Sequence, residues 1–120
     1  VAAEPASWRK VLQGKLVTYF VDENSLSFQE DQWTLYYKLV NRKDSAVITS
    51  QIGCRKSADV VSVRKIKSSV NGSDYFVPDD LSWHDVQKGQ IYFNVCLGAL
   101  PACNGKNKTQ LCRDPKKFNG

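Results

Sequence analysis

The sequence is poor in the residues that most enzyme chemistry needs. Among 120 residues there is one histidine, His84, and no methionine. A single histidine excludes any two-histidine acid–base mechanism. The four cysteines, Cys54, Cys96, Cys103 and Cys112, contain no C-x-x-C pair, and His84 is not at finger spacing, so zinc is disfavoured. No G-x-S-x-G elbow, phosphate-binding loop or dinucleotide glycine motif occurs. No apolar run approaches the roughly 20 residues of a membrane-spanning helix. Four prolines and seven glycines exclude collagen-like and linker-like chains. No repeat or low-complexity segment is present, and no metal or cofactor is expected.

What is present describes one folded domain over residues 1–120. The apolar fraction of 42% argues against disorder, and the length suffices for a core without a metal. The net charge is +5, with a pI near 9.1. Residues 103–120 carry Lys106, Lys108, Arg113, Lys116 and Lys117 against Asp114, so most of the excess lies there and residues 1–102 are almost neutral. Residues 113–120 read as a flexible basic tail. A nucleic-acid binder would show one continuous basic face with stacking aromatics. Patches of both signs speak against that partner and leave an acidic glycan as a second class behind a protein.

An even cysteine count in a short chain reads as two disulfides and an oxidising compartment. Three connectivities exist, and the favoured one is Cys54–Cys96 with Cys103–Cys112. Val1-Ala2-Ala3 suits a stretch left after signal-peptide removal. Asn71-Gly72-Ser73 and Asn107-Lys108-Thr109 are glycosylation sequons in polar, turn-like stretches. The expected location is extracellular.

Strand patterns dominate. Leu16–Val21 is β-branched and aromatic. Trp33–Val40 alternates, with Trp33, Leu35, Tyr37 and Leu39 toward a core and Thr34, Tyr36 and Lys38 outward. A turn over Asn41–Ser45 leads into Ala46–Cys54, with Ile48, Ile52 and Cys54 on one face. Val60–Lys67 is a further strand, ended by Asn71-Gly72. Asp74–Val77 is a short one, and Ile91–Leu97 closes the series. Ser82-Trp83-His84-Asp85 reads as a capping box starting a helical turn. Ala6–Gln13 is a short helix or an edge strand. Phe20 and Phe93 join Trp33 and Tyr37 in the expected core. The fold class is therefore all-β: an antiparallel sandwich or small barrel of six to eight strands, with at most one or two short helical turns.

Val86-Gln87-Lys88-Gly89-Gln90-Ile91-Tyr92 resembles the tyrosine corner of immunoglobulin-like and fibronectin type III sandwiches. The resemblance implies that Tyr92 pins a corner and that Asn94 and Cys96 point inward. It departs from immunoglobulin domains in placing Tyr92 four residues before the cysteine rather than two, and in having Ile66 where a core tryptophan is expected. Ile91, Phe93, Val95 and Leu97 form the greasier set, so the corner requires a strand buried on both faces. In style the chain is also similar to small secreted β-rich fungal proteins of the effector and allergen type. That likeness rests on Trp33–Cys54 and the tail Cys103–Cys112, and it implies action on a host.

The expected function is binding without catalysis, with a receptor or host protein as partner. Tyr75, Phe76 and Trp83, in a loop that mixes aromatics with acids, are its first candidate residues, joined by Tyr36, Lys106 and Lys108. The alternative is a small hydrolase acting on RNA through His84 and a carboxylate, with Asp79, Asp80 and Asp85 nearby in sequence. A third reading is a small barrel enclosing an apolar ligand. Acidic pairs such as Asp22-Glu23 and Glu30-Asp31 read as solvated turns.

Overall fold

A computed structural model of the protein describes residues 5–58, 60–73, 77–78, 81–103 and 112–113. Among the described residues seven strands follow one another: β1 (Trp8–Gln13), β2 (Val17–Asp22), β3 (Ser27–Gln29), β4 (Gln32–Asn41), β5 (Val47–Ser57), β6 (Val60–Val70) and β7 (His84–Val86). A 3-10 turn over Glu23–Ser25 separates β2 from β3, and one helix, α1 (Ile91–Gly98), follows β7. The strands make one antiparallel sheet in the order β1-β2-β4-β5-β6-β7, with β3 also paired to β4. The all-β class, the strand number and both disulfides are as the sequence predicts.

The centre of the sheet is the long β4–β5–β6 meander. Alternation decides its faces: Trp33, Leu35 and Tyr37 of β4 are buried while Gln32, Thr34, Tyr36 and Lys38 point the other way. The register places Cys54 opposite Trp33 and Ile52 opposite Leu35, so the buried sets of β4 and β5 form one apolar surface. Val21 of β2 and Val61 and Val63 of β6 extend it. Complete burial of side chains such as Trp33, Leu35 and Ile52 contributes about 1.5–3 kcal/mol each. The Asn41–Ser45 turn is closed by side chains: Asn41 Oδ1 accepts from the Lys43 N–H and Asp44 Oδ1 from the Ala46 N–H. Ala6–Gln13 resolves as an edge strand, β1, with a bulge between Lys10 and Leu12. The other edge, β7, is only three residues long, and both features limit edge-to-edge pairing.

The largest correction concerns Ile91–Leu97, which is helix rather than strand. Gly89 takes φ +94°, a turn that the Cβ of another residue would strain, and Gln90 is extended before the helix begins. Local β preference is overridden by packing, because α1 covers the apolar inner face of the sheet. It lies against β1 and β2 on one side and β6 on the other, so the sheet curls about it. Helical spacing also resolves the conflict between the greasy and the cysteine-bearing sets. Val95 and Cys96 are both buried, as are Ala99 and Leu100 beyond the helix, while Ile91 is exposed. The tyrosine corner falls with the strand, since Tyr92 belongs to α1.

Cys96 is bonded to Cys54 with a Cα–Cα distance of 5.9 Å, and its carbonyl accepts a buried bond from Trp33 Nε1 at 3.1 Å. The helix is thus tied to the sheet twice at one residue. The Cys103–Cys112 disulfide closes a second loop, flanked by mutual backbone bonds between Cys103, Arg113 and Pro101. Two smaller expectations also change. No helical turn starts at Ser82, where the chain is irregular before entering β7. Phe20 is half-buried on the outer face of the sheet instead of in the core, because it pairs with Lys38 of β4. Most of the Asp74–Val77 segment lies outside the described residues. Among those described, no helix is long and apolar enough to cross a membrane.

Candidate functional site

The side of the sheet turned away from α1 gathers chemistry that no single segment of sequence displays. Strand alternation and register bring to it Trp8 and Lys10 from β1, Phe20 from β2, Tyr36 and Lys38 from β4, Arg55 from β5, and Arg64 and Lys67 from β6. Each aromatic is met by a cation from another strand. Lys38 Nζ lies 4.5 Å from the centre of the Trp8 ring and 5.4 Å from that of Phe20. Lys67 Nζ is 5.5 Å from the Tyr36 ring. Contacts of this length over an aromatic face contribute about 0.5–1 kcal/mol when exposed.

The densest cluster surrounds Trp83. Gly53 of β5 has no side chain, and the indole occupies the space above it, its tip 3.5 Å from where a Cβ would stand. A bulge in β6 adds Ile66 to the same wall. The guanidinium carbons of Arg55 and Arg64 lie 4.5 and 4.8 Å from the ring centre. Arg64 Nε is buried and has no hydrogen-bond partner among the described residues. A shallow polar depression walled by Gln29, Gln32, Thr34 and Trp83 opens beside it. A second lies between Trp8, Asp22, Tyr36 and Thr49.

Carboxylates on this face are already engaged. Asp22 Oδ1 accepts from the Ser7 and Asn24 N–H groups, and Asp85 Oδ1 accepts from the Ser62 hydroxyl at 2.7 Å. Among the described residues the one ion pair, Arg9 with Glu23, involves none of the face's cations; Arg9 also donates to the Gly98 carbonyl at the end of α1. Among the described residues the face is thus cationic and aromatic at once, and Lys38, Arg55 and Arg64 lie over rings with no carboxylate partner.

The inner side carries a different group. The Tyr37 and Tyr92 hydroxyls are 3.2 Å apart, and their rings meet edge to face. Burial, then the neighbouring Tyr92 phenol, pushes the Tyr37 phenol far above its ordinary value, and burial raises Tyr19 in the same direction. Beyond Tyr92 a depression is lined by Val63, Lys65, His84 and Val86.

Two of the six binding residues expected from the sequence, Tyr36 and Trp83, come together on the outer face. Tyr75, Phe76, Lys106 and Lys108 lie outside the described residues, as does the sequon residue Asn107. Asn71 is at an exposed turn with φ +49°, and its Oδ1 accepts from the Val47 N–H, which gives it a structural task of its own. His84 pairs with Val63 while Asp85 pairs with Ser62, so the two neighbours point to opposite faces and form no dyad. Asp79 and Asp80 lie outside the described residues. Trp8, Phe20, Lys38, Arg55, Arg64 and Lys67 are not among the binding residues expected from the sequence; the signals that point to them are the outward position of Lys38 in the alternation and the basic cluster that holds Arg55, Arg64 and Lys67. Among the described residues no cluster of three or more His, Cys, Asp or Glu is arranged to hold a metal ion. No protein-family model matches the chain, and no curated protein or solved structure shows significant similarity to it.

Proposed function

We propose that this is a binding protein without a catalytic centre, acting outside the cell, whose working surface is the sheet face opposite α1. The observation that carries the reading is the interleaving of Trp8, Phe20, Tyr36 and Trp83 with Lys38, Lys67, Arg55 and Arg64 on one side of the sheet. Aromatics and arginines are the side chains that contribute most at recognition surfaces. The two disulfides support an oxidising location. Trp83 and Tyr36, two of the residues expected from the sequence to contact a partner, lie on that surface.

The other two readings draw less support. A hydrolase would pair His84 with a carboxylate, and its sequence neighbour Asp85 does not serve, being bound to Ser62 on the opposite face. A ligand-carrying barrel needs an interior space, and the inner side is filled by Trp33, Leu35, Ile52, Val95 and Leu100, all essentially inaccessible.

The test is a screen of folded protein against arrayed extracellular proteins and glycans, run beside two variants. Trp8→Ser/Trp83→Ser alters the outer face, and Lys65→Gln alters the side that carries Tyr92. Any specific signal of the wild type is expected to vanish with the first variant and persist with the second. A signal that survives Trp8→Ser/Trp83→Ser overturns the assignment of the surface.

A further inference from the structure

The chemistry of the outer face narrows the ligand. We infer that it binds an acidic polysaccharide, a chain of uronate or sulfated sugars lying across the strands. The inference rests on the reading of that face as the working surface, and goes beyond it in naming what is bound.

Three observations converge. The first is charge: among the described residues Lys10, Lys38, Arg55, Arg64 and Lys67 outnumber the carboxylates of the face, Asp22 and Asp85. Lys38, Arg55 and Arg64 have no carboxylate partner among the described residues. A surface of that sign attracts an anion, and a row of such groups suits an anion with repeated charges. The second is the rings. Trp8, Tyr36 and Trp83 are half-exposed and amphipathic. Trp8 stands on the β1 edge and Trp83 over β5. Three strand spacings of about 4.8 Å and a two-residue offset along the strand separate them by roughly 15 Å. That distance exceeds a single ring and calls for an extended ligand. The third is compartment. Disulfides at Cys54–Cys96 and Cys103–Cys112 mark an oxidising environment, in which the abundant linear polyanions are glycans rather than nucleic acids.

The arrangement assigns roles. Lys38 and Arg55 reach carboxylate or sulfate groups, and arginine does so in a bidentate fork. The half-exposed indoles offer apolar surface to sugar faces between the charges. An acidic oxygen entering the depression beside Trp83 would give Arg64 Nε the acceptor it lacks among the described residues.

The experiment titrates the full chain with a heparin hexasaccharide, a hexagalacturonate, neutral maltohexaose and a single-stranded RNA hexamer, read by calorimetry and tryptophan fluorescence. At least one acidic sugar should bind about tenfold or more tightly than maltohexaose and the RNA, with affinity falling as salt rises. Trp83→Ala should weaken that binding about tenfold, and Lys38→Gln and Arg55→Gln about threefold each. Lys43→Gln, in the exposed β4–β5 turn, should leave it unchanged. Lys38 and Arg55 variants keep the proposal testable should Trp83→Ala fail to fold. Equal binding of acidic and neutral sugars, tighter binding of the RNA, or face variants that bind like the wild type overturns it. Loss of acidic-sugar binding by Lys43→Gln as strong as by Lys38→Gln does so too, since it marks diffuse attraction. If the acidic sugars fail while an arrayed ligand is still lost in Trp8→Ser/Trp83→Ser, the ligand class is wrong and the surface right. If both fail, the surface is wrong as well.

Discussion

Two tryptophans show how position, not residue type, sets what an indole does. Trp33 is 1% exposed, and its Nε1 donates to the Cys96 carbonyl in the buried seam between β4 and α1. Trp83 lies half-exposed over Gly53 with two guanidinium groups about it. Replacing Trp33 by phenylalanine leaves that carbonyl without a donor and opens space where the larger ring stood. Trp33→Phe is expected to cost about 2–4 kcal/mol, and Trp83→Phe under about 1 kcal/mol. Urea unfolding checks both: the midpoint falls steeply for the first variant and little for the second, with the slope unchanged. Equal losses would mean that the seam is not the anchor of α1.

At the scale of elements, the strands were readable where one face is apolar and the other polar. β4 is the clear case, and β5 follows it, since Ile48, Ile52 and Cys54 share the core side. In β2, Tyr19 and Val21 face one side and Phe20 the other, so alternation gives no sign of direction and Phe20 lies outside the core that the sequence predicts for it. Trp8 was hidden by the bulge that interrupts the pattern of β1. The cluster around Trp83 depends on the β5–β6 register and the bulge at Ile66, neither of which the order of residues reveals. The element α1, which the sequence predicts as a strand, is rich in strand-forming residues, Ile91, Tyr92, Phe93 and Val95, and is helical because the sheet needs a lid. That origin is testable at Ile91, the first helical residue, 45% exposed and preceded by Gln90 at φ −78° and ψ 155°. Proline suits the first position of a helix, and its predecessor must be extended, as Gln90 is. Ile91→Pro should therefore change stability by less than about 1 kcal/mol, whereas in a paired strand it would remove a ladder bond. Thermal unfolding by circular dichroism decides; a loss of several kcal/mol would return the segment to a strand.

For the molecule as a whole, the sheet divides two environments, and they respond differently to solution conditions. The outer face meets solvent with cations that salt screens. The inner face holds Tyr37 in a closed setting with Tyr92 and Ser50, where burial and the adjoining phenol oppose its ionisation. In the unfolded chain the same phenol titrates near 10.0. Below that pH both states keep the proton and the contribution of Tyr37 to stability is complete. Above it the unfolded chain releases a proton that the folded chain retains, so the balance moves toward unfolding by up to about 1.4 kcal/mol per pH unit for each such group. Tyr19, raised in the same direction, adds to the slope. Stability is expected to be flat between pH 7 and 9 and to fall from about pH 10 upward. Tyr37→Phe cannot release that proton, so it should begin about 1 kcal/mol less stable for want of the hydroxyl bond and then decline more slowly, its curve converging on the wild type as pH rises. Denaturant midpoints measured from pH 8 to 11.5 test this, and parallel curves above pH 10 would show that another group governs alkaline unfolding.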